Sequence, residues 1–461
     1  MKKEIIFIAY CFIITCIELK AQGWKEIGTG SNALKANNPI YSITTDNEGN
    51  IYAVGSFTDA NNAYFVAKWN GTSWSELGTG TNALKADSVS TTIVTDDSGY
   101  VYVAGNLADI NKKYYVAKWN GTSWAELGNG SNALNANNPI YTLAKDTSGH
   151  IYAAGAFTNG ATSKSGYHYV AVWNGTTWSE LGAGTHPLNA NDNIWTVKAD
   201  NSGNIYTAGA FTDSKGYMYV AKWNGTTWSE LGGNGSTALG ANNTINSIAI
   251  DNSGNIYASG DFTDLNGNSC VTKWNGSKWS VLGALGQVSY ILSITVDNSG
   301  NVYAVGTISD PYSNDCVVAK WDGKNWVELG TGSNSLNANN IIRSIVIDNS
   351  GYIYIAGNFT DSHNYTYVAQ WSTPTITATL NPLAETEIVF YPNPGKDILY
   401  FNNVSENIEL TVLNILGEEV MNKELNSGNF SIDMNSLRSG TYTILLTGKN
   451  NAYPSVKWIK L

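Results

Sequence analysis

Chemistry in a protein needs particular side chains in clusters, and few of them are available here. Histidine occurs at His150, His168, His186 and His363, and cysteine at Cys11, Cys16, Cys270 and Cys316. Metal centres and nucleophile–base pairs require such groups at short, matched spacings. These positions show none, so no metal, no cofactor and no catalytic residue is expected. Paired carboxylates would suit glycoside hydrolysis, and Asp59, Asp213, Asp264 and Asp361 are candidates. Each closes a Phe-Thr-Asp triplet at an equivalent place in a repeat, which points to a turn role. Asp-Asn-Ser-Gly-Asn segments such as Asp200–Asn204 look like half of a calcium loop, but they lack the distal Glu that supplies the bidentate ligand. Sialidase-type chemistry needs clustered Arg, whereas the chain holds only Arg343 and Arg438. The remaining candidates are aromatic: Tyr167, Tyr217, Tyr312 and Tyr365 lie by variable loops, where rings can stack on sugars. A non-catalytic binding role is therefore expected, with a glycan-active enzyme at a channel mouth as the alternative.

The elements that must position these residues repeat. One Trp series runs Trp24, Trp74, Trp124, Trp178, Trp228, Trp279 and Trp326, with spacings of 50, 50, 54, 50, 51 and 47. A second runs Trp69, Trp119, Trp173, Trp223, Trp274, Trp321 and Trp371. Asp-x-Ser/Glu-Gly turns start at Asp46, Asp96, Asp146, Asp200, Asp251, Asp297 and Asp348, and a Gly follows nine residues later each time, as at Gly55 and Gly155. Each unit reads as four short β-strands rich in β-branched and aromatic residues, with Gly, Asn and Asp in the turns. Asn70-Gly71 reads as a two-residue hairpin turn, which would place Trp69 opposite Thr72 and Ala67 opposite Trp74. Four strands at a period near 50 predict a propeller blade, and stacked blades would bury both indoles in the seams. The first unit begins with its last strand, at Trp24, and the last stops after its third, at Trp371. An all-β, seven-bladed propeller closed by its N-terminal strand is expected over residues 23–372. Cys270 and Cys316 differ by one position relative to their Trp, which places them on opposite faces and argues against a bond between them.

The composition excludes other classes. The net charge is −11 with 14% charged residues, so no nucleic-acid partner is expected. At 12% aromatic and 43% apolar residues the chain is too hydrophobic for disorder. Lys2 and Lys3 precede the apolar run Ile5–Ile17, and Ala21 supplies a small residue. This layout predicts a secretory signal peptide over residues 1–22. The run has 13 residues, short of the roughly 20 needed to span a bilayer. No later stretch reads as a transmembrane segment, and a monomer is expected.

Two resemblances add to these readings. Gly203–Phe211 and Val220–Gly232 resemble bacterial propeller repeats that are loosely kelch-like, which implies a propeller but no single function. After a linker at 373–385, residues 386–461 resemble the type A C-terminal sorting domain of the Bacteroidetes type IX secretion system. The resemblance rests on Tyr391-Pro392-Asn393-Pro394, Leu410–Val420 with Gly417, Ser439-Gly440-Thr441-Tyr442, and Lys457-Trp458-Ile459-Lys460-Leu461. It implies a small antiparallel β-sandwich with Pro392, Asn393, Pro394, Gly417, Gly440, Tyr442, Lys457 and Lys460 in the sorting signal. It also implies handling by the type IX machinery after passage through the periplasm, and arrival at the outer-membrane surface or outside the cell. The ligand there would be a glycan or a protein.

Overall fold

The computed structural model describes residues 15–19, 23–372 except 85, 87, 161–165, 185, 234, 286–289, 309–315 and 332–333, then 376–380, and 389–461 except 405–406, 415–416 and 449–454. Gln22–Thr373 forms one compact unit, and Met1–Ala21 with Pro374–Leu461 forms another.

The first unit is built from seven four-stranded antiparallel sheets. Blade 1 runs outward from Ile40–Thr45 through Ile51–Gly55 and Ala67–Trp69 to Trp74–Glu76. Blades 2 to 6 begin at Ser90, Ile140, Ile194, Ile245 and Ile291, and blade 7 begins at Ile342. Blade 7 takes its outermost strand from the start of the chain, where Gly23–Glu26 pairs with Ala369–Ser372 and Trp24 stands opposite Trp371. Every innermost strand touches the innermost strands of its two neighbours, and Ile342–Ile347 touches Ile40–Thr45. The unit is a β-propeller.

The indoles sit in the seams, but the hairpin that carries them differs from the expected one. Trp69 faces Trp74, and Ala67 faces Glu76. The connection is a four-residue loop, Asn70–Ser73, in which the Asn70 side-chain oxygen accepts from the N–H groups of Thr72 (3.0 Å) and Ser73 (2.9 Å). An Asx loop satisfies donors that a two-residue turn would leave to the ladder, and only Gly71 takes a positive φ, at 92°. The directly opposed rings lie 5.8 Å apart. Each outer indole N–H then reaches back to the preceding blade: Trp74 donates to Ile27 (2.9 Å), Trp178 to Leu127 (2.8 Å), and Trp24 closes the circle on Leu329 (2.8 Å). Seven such bonds link each outer strand to the one before it.

The turns at one end of the ring are equally uniform. In blade 1 the Asp46 carboxylate accepts from the N–H groups of Glu48 and Asn50 and from the Tyr52 hydroxyl (2.9 Å). The Tyr–Asp bond recurs in all seven blades. These are Asx turns with every carboxylate oxygen engaged by the protein. Cys270 and Cys316 are buried in different seams and share no disulfide, and burial pushes the Cys270 thiol up to about 12.

In the second unit, a three-stranded sheet (Val389–Tyr391, Ile398–Val404, Gly428–Asp433) faces a four-stranded one (Ile408–Leu413, Glu419–Leu425, Gly440–Gly448, Val456–Lys460). Leu399, Phe401, Leu410, Val412, Ile444 and Trp458 from the two sheets share one core. Thr15–Leu19 pairs with Ile376–Leu380 in a separate two-stranded sheet. Most of the apolar run read as a signal peptide, residues 5–14, lies outside the described residues.

Candidate functional site

The repeated Gly at the end of each second strand shapes the bore of the propeller. A Cβ on Gly155 would stand 2.4 Å from the Pro139 carbonyl oxygen and 2.7 Å from the Tyr141 nitrogen. Only glycine lets the innermost strand pass that close. Pairing therefore runs from Ile140–Gly155 directly to Thr142–Ala154, and Tyr141 becomes the extra residue of a β-bulge. The same shift occurs in every blade. A bulge re-aims the side chain it carries, and here it turns one residue per blade toward the axis. Those residues are Tyr41, Thr91, Tyr141, Trp195, Asn246, Leu292 and Arg343, all of which line a cavity of about 380 Å3.

The scaffold is constant, but these seven side chains are not. Tyr141 and Trp195, on adjacent blades, stack with centroids 4.5 Å apart and planes 7° from parallel. Trp195 remains 39% exposed, a large open surface for an indole in a fold that holds the others buried or half-buried in seams. Across the ring, the Arg343 guanidinium lies 5.0 Å over the Tyr41 ring, and its Nε donates to Asn358 (2.6 Å). Asn246 donates to the Asp261 carboxylate (2.7 Å), and burial raises the pKa of that carboxyl. Ser and Thr hydroxyls one residue further along accept N–H bonds from the next blade, as Thr142 does from Val197 (3.2 Å). Lys198 lies deeper, three residues beyond Trp195 on the same strand. Its side chain is exposed to the lumen, and partial desolvation by the bore wall lowers the pKa of its ammonium. An aromatic platform, a ring of hydroxyls and two cations can together hold a polar ligand with a flat apolar face.

The rim residues picked from the sequence are not gathered in this way. Tyr167 (51% exposed), Tyr217 (47%) and Tyr365 (39%) stand on blades 3, 4 and 7. Each backbone N–H closes its own loop, onto Asn159, Asp213 and Asp361 respectively. Tyr312 lies outside the described residues, as does the centre of the long loop after Asn159. The Phe-Thr-Asp carboxylates are turn residues. Asp59 accepts N–H bonds from Asn61 and Ala63, both 2.8 Å, and the Ala63 bond leads the effects that lower its pKa. His150 bonds to Asp146 in a turn, while His168, His186 and His363 occupy separate loops. No group of three potential metal ligands occurs among the described residues. The bore residues left a trace in the sequence: Trp195 is the propeller Trp outside both series, and Arg343 is the propeller's single Arg.

The C-terminal sandwich has a site of its own kind. Trp458, fully buried, donates its indole N–H to the Pro392 carbonyl (2.9 Å). Asn393 accepts from the Ile459 N–H (3.0 Å) and donates to the Lys457 carbonyl (2.6 Å). Lys460, 7% exposed, donates to the Met434 carbonyl (2.7 Å). The Tyr442 hydroxyl donates to the Arg438 carbonyl (2.7 Å). Pro392 and Asn393 thus bond to the last strand, which carries Lys457 and Lys460 and pairs with the strand of Gly440 and Tyr442; Pro394 follows Asn393. Gly417 sits apart, in the turn that follows Asn414. Residues 389–460 match the family described as the secretion system C-terminal sorting domain. A type IX sorting domain is present. It indicates secretion to the cell surface or the extracellular space.

Among solved structures, the chain is similar to PorZ, a surface component of the type IX secretion system of Porphyromonas gingivalis. The TM-score is 0.49 at 16% identity, covering 92% of this chain and 59% of that one. It is similar to the extracellular domain of the two-component system BT4673 of Bacteroides thetaiotaomicron, with a TM-score of 0.49 at 14% identity, covering 96% of this chain and 60% of that one. The WD40 propeller domain of Doa1 gives 0.47 at 14% identity, covering 77% of this chain and 97% of that one. The chain thus spans about three-fifths of the length of PorZ and of the BT4673 domain. No curated protein matches the sequence. No helix among the described residues is long and apolar enough to cross a membrane.

Proposed function

We propose that this protein is an exported binding or adhesion module whose ligand, a glycan, enters the bore of the propeller. Residues 1–22 direct it to the periplasm. The sorting domain, 386–461, is handled by the type IX machinery and removed in the linker 373–385, and the propeller, 23–372, acts as a monomer without catalysis. The observation that carries the reading is the Tyr141–Trp195 stack. It sits on two bulges that turn side chains into the bore, and the indole stays open there. Sugars present C–H faces that lie flat on such rings while their hydroxyls bond to polar neighbours. Tyr167, Tyr217 and Tyr365 would add rim contacts to a longer chain.

A glycan array probed with the exported protein tests this. Saturable binding that Trp195→Ala abolishes without altering the melting temperature supports it, and binding unaffected by that change overturns it. Release of a shortened product would favour the enzyme reading. The route has a separate test. Deleting residues 386–461 is expected to hold the protein in the periplasm, and surface display of the truncated chain would contradict the sorting assignment.

A further inference from the structure

The charge of the bore opposes the charge of the protein. The whole chain carries −11, yet the charged residues that line the cavity are Lys198 and Arg343, and no carboxylate lines it. Arg343 has partners: the Tyr41 ring and the Asn358 oxygen. Lys198 has none among the described residues, neither a hydrogen bond nor an ion pair. Its side chain is exposed to the lumen, and the protein around it lowers the pKa of its ammonium. An exposed lumen-facing ammonium without a counter-charge is free to pair with an anion that arrives from outside. The Asp261 carboxylate is tied to Asn246, which lines the cavity, and its burial favours the neutral form.

The position of Lys198 narrows the ligand. It shares the strand Ile194–Ala199 with Trp195, and the side chains between them, Thr196 and Val197, are buried away from the lumen. Three residues of strand span about 10 Å, roughly one to two sugar units. A ring lying on the indole would thus point the next unit toward the ammonium.

Resting on the glycan reading above, we propose that the bore selects acidic glycans: one sugar ring lies on Trp195, and a carboxylate or sulfate on the adjoining unit meets the Lys198 ammonium. A charge-assisted bond discriminates against a neutral ligand. It also supplies orientation, because the chain must enter acid end first.

The test is titration calorimetry on the exported protein with three probes: an oligogalacturonate, its methyl ester, and a sulfated oligosaccharide of similar length. The expected result is about tenfold tighter binding of at least one acidic probe than of the ester. That preference is expected to persist in Lys198→Arg and to collapse in Lys198→Met. Tighter binding of the carboxylated or of the sulfated probe identifies the head group. Equal affinity for acid and ester, or a preference that survives Lys198→Met, overturns the acidic selection and leaves the glycan reading standing. Binding of none of the three overturns both. Thermal melting of each variant guards against misfolding.

Discussion

The seams and the bore of this propeller are made by the same strands and obey opposite rules. In the seams every blade repeats itself: a Trp pair with rings 5.5 to 5.8 Å apart, an indole bond to the blade before, and a Tyr–Asp turn. In the bore the bulged position changes chemistry from blade to blade: Tyr, Thr, Tyr, Trp, Asn, Leu, Arg. Repetition is what a ring needs, because each seam must fit the same neighbour. A position free of that demand can vary from copy to copy, and seven side chains of six types facing one cavity can form a site that no single blade could.

Substitutions that act on one region and spare the other sharpen this contrast. The largest effect is expected in a seam. Trp178→Ala removes an indole that is 8% exposed and bonded to Leu127, and chemical denaturation should record a loss of about 3–5 kcal/mol. Trp195→Ala, an equal truncation in the bore, should cost less than about 1 kcal/mol. If the two losses are equal, the distinction between seam and bore fails. Gly155→Ala comes next. Its Cβ would meet the Pro139 carbonyl, so a loss of about 1–3 kcal/mol is expected, together with displacement of Tyr141.

The turn ring gives a smaller effect and a pH signature. Tyr152→Phe removes the hydroxyl bonded to Asp146 and should cost about 1 kcal/mol near neutrality. Burial, and then the Asp146 carboxylate, raise the Tyr152 phenol well above its ordinary value of 10.0. The folded chain therefore keeps a proton that the unfolded chain loses, so stability is full below pH 10 and declines as the pH climbs above it. Tyr152→Phe should reduce the steepness of that decline by one proton. Lys198 acts with the opposite sign and least strongly. Its folded pKa lies below the ordinary 10.5, so between those two values the unfolded chain holds the extra proton and stability rises with pH. Urea midpoints across that window should rise more steeply for the native protein than for Lys198→Met.

Much of the fold could be read from spacing alone. Residues that recur in register, such as Trp24, Asp46 and Gly55, report a backbone need shared by all blades, and a single chain shows that need seven times. Local chemistry was harder to read. Asn70-Gly71 resembles a two-residue turn until the Asn side chain is seen to take the next two N–H groups. The bore was harder still. Simple alternation along Ile40–Thr45 conceals the bulge, and only the close approach of Gly55 to Pro39 and Ile40 explains why Tyr41 turns inward. Tyr167, Tyr217 and Tyr365 attracted attention because loops vary in length, whereas the residues that meet across space vary in type at a fixed strand position.

A crystal structure of the exported protein soaked with an acidic oligosaccharide tests the central claim most directly. The expected density lies in the bore, with a sugar ring against the open face of Trp195 and its acidic group pointing to Lys198. Ordered sugar confined to the outer loops around Tyr167, Tyr217 or Tyr365, with the bore holding only solvent, would contradict it.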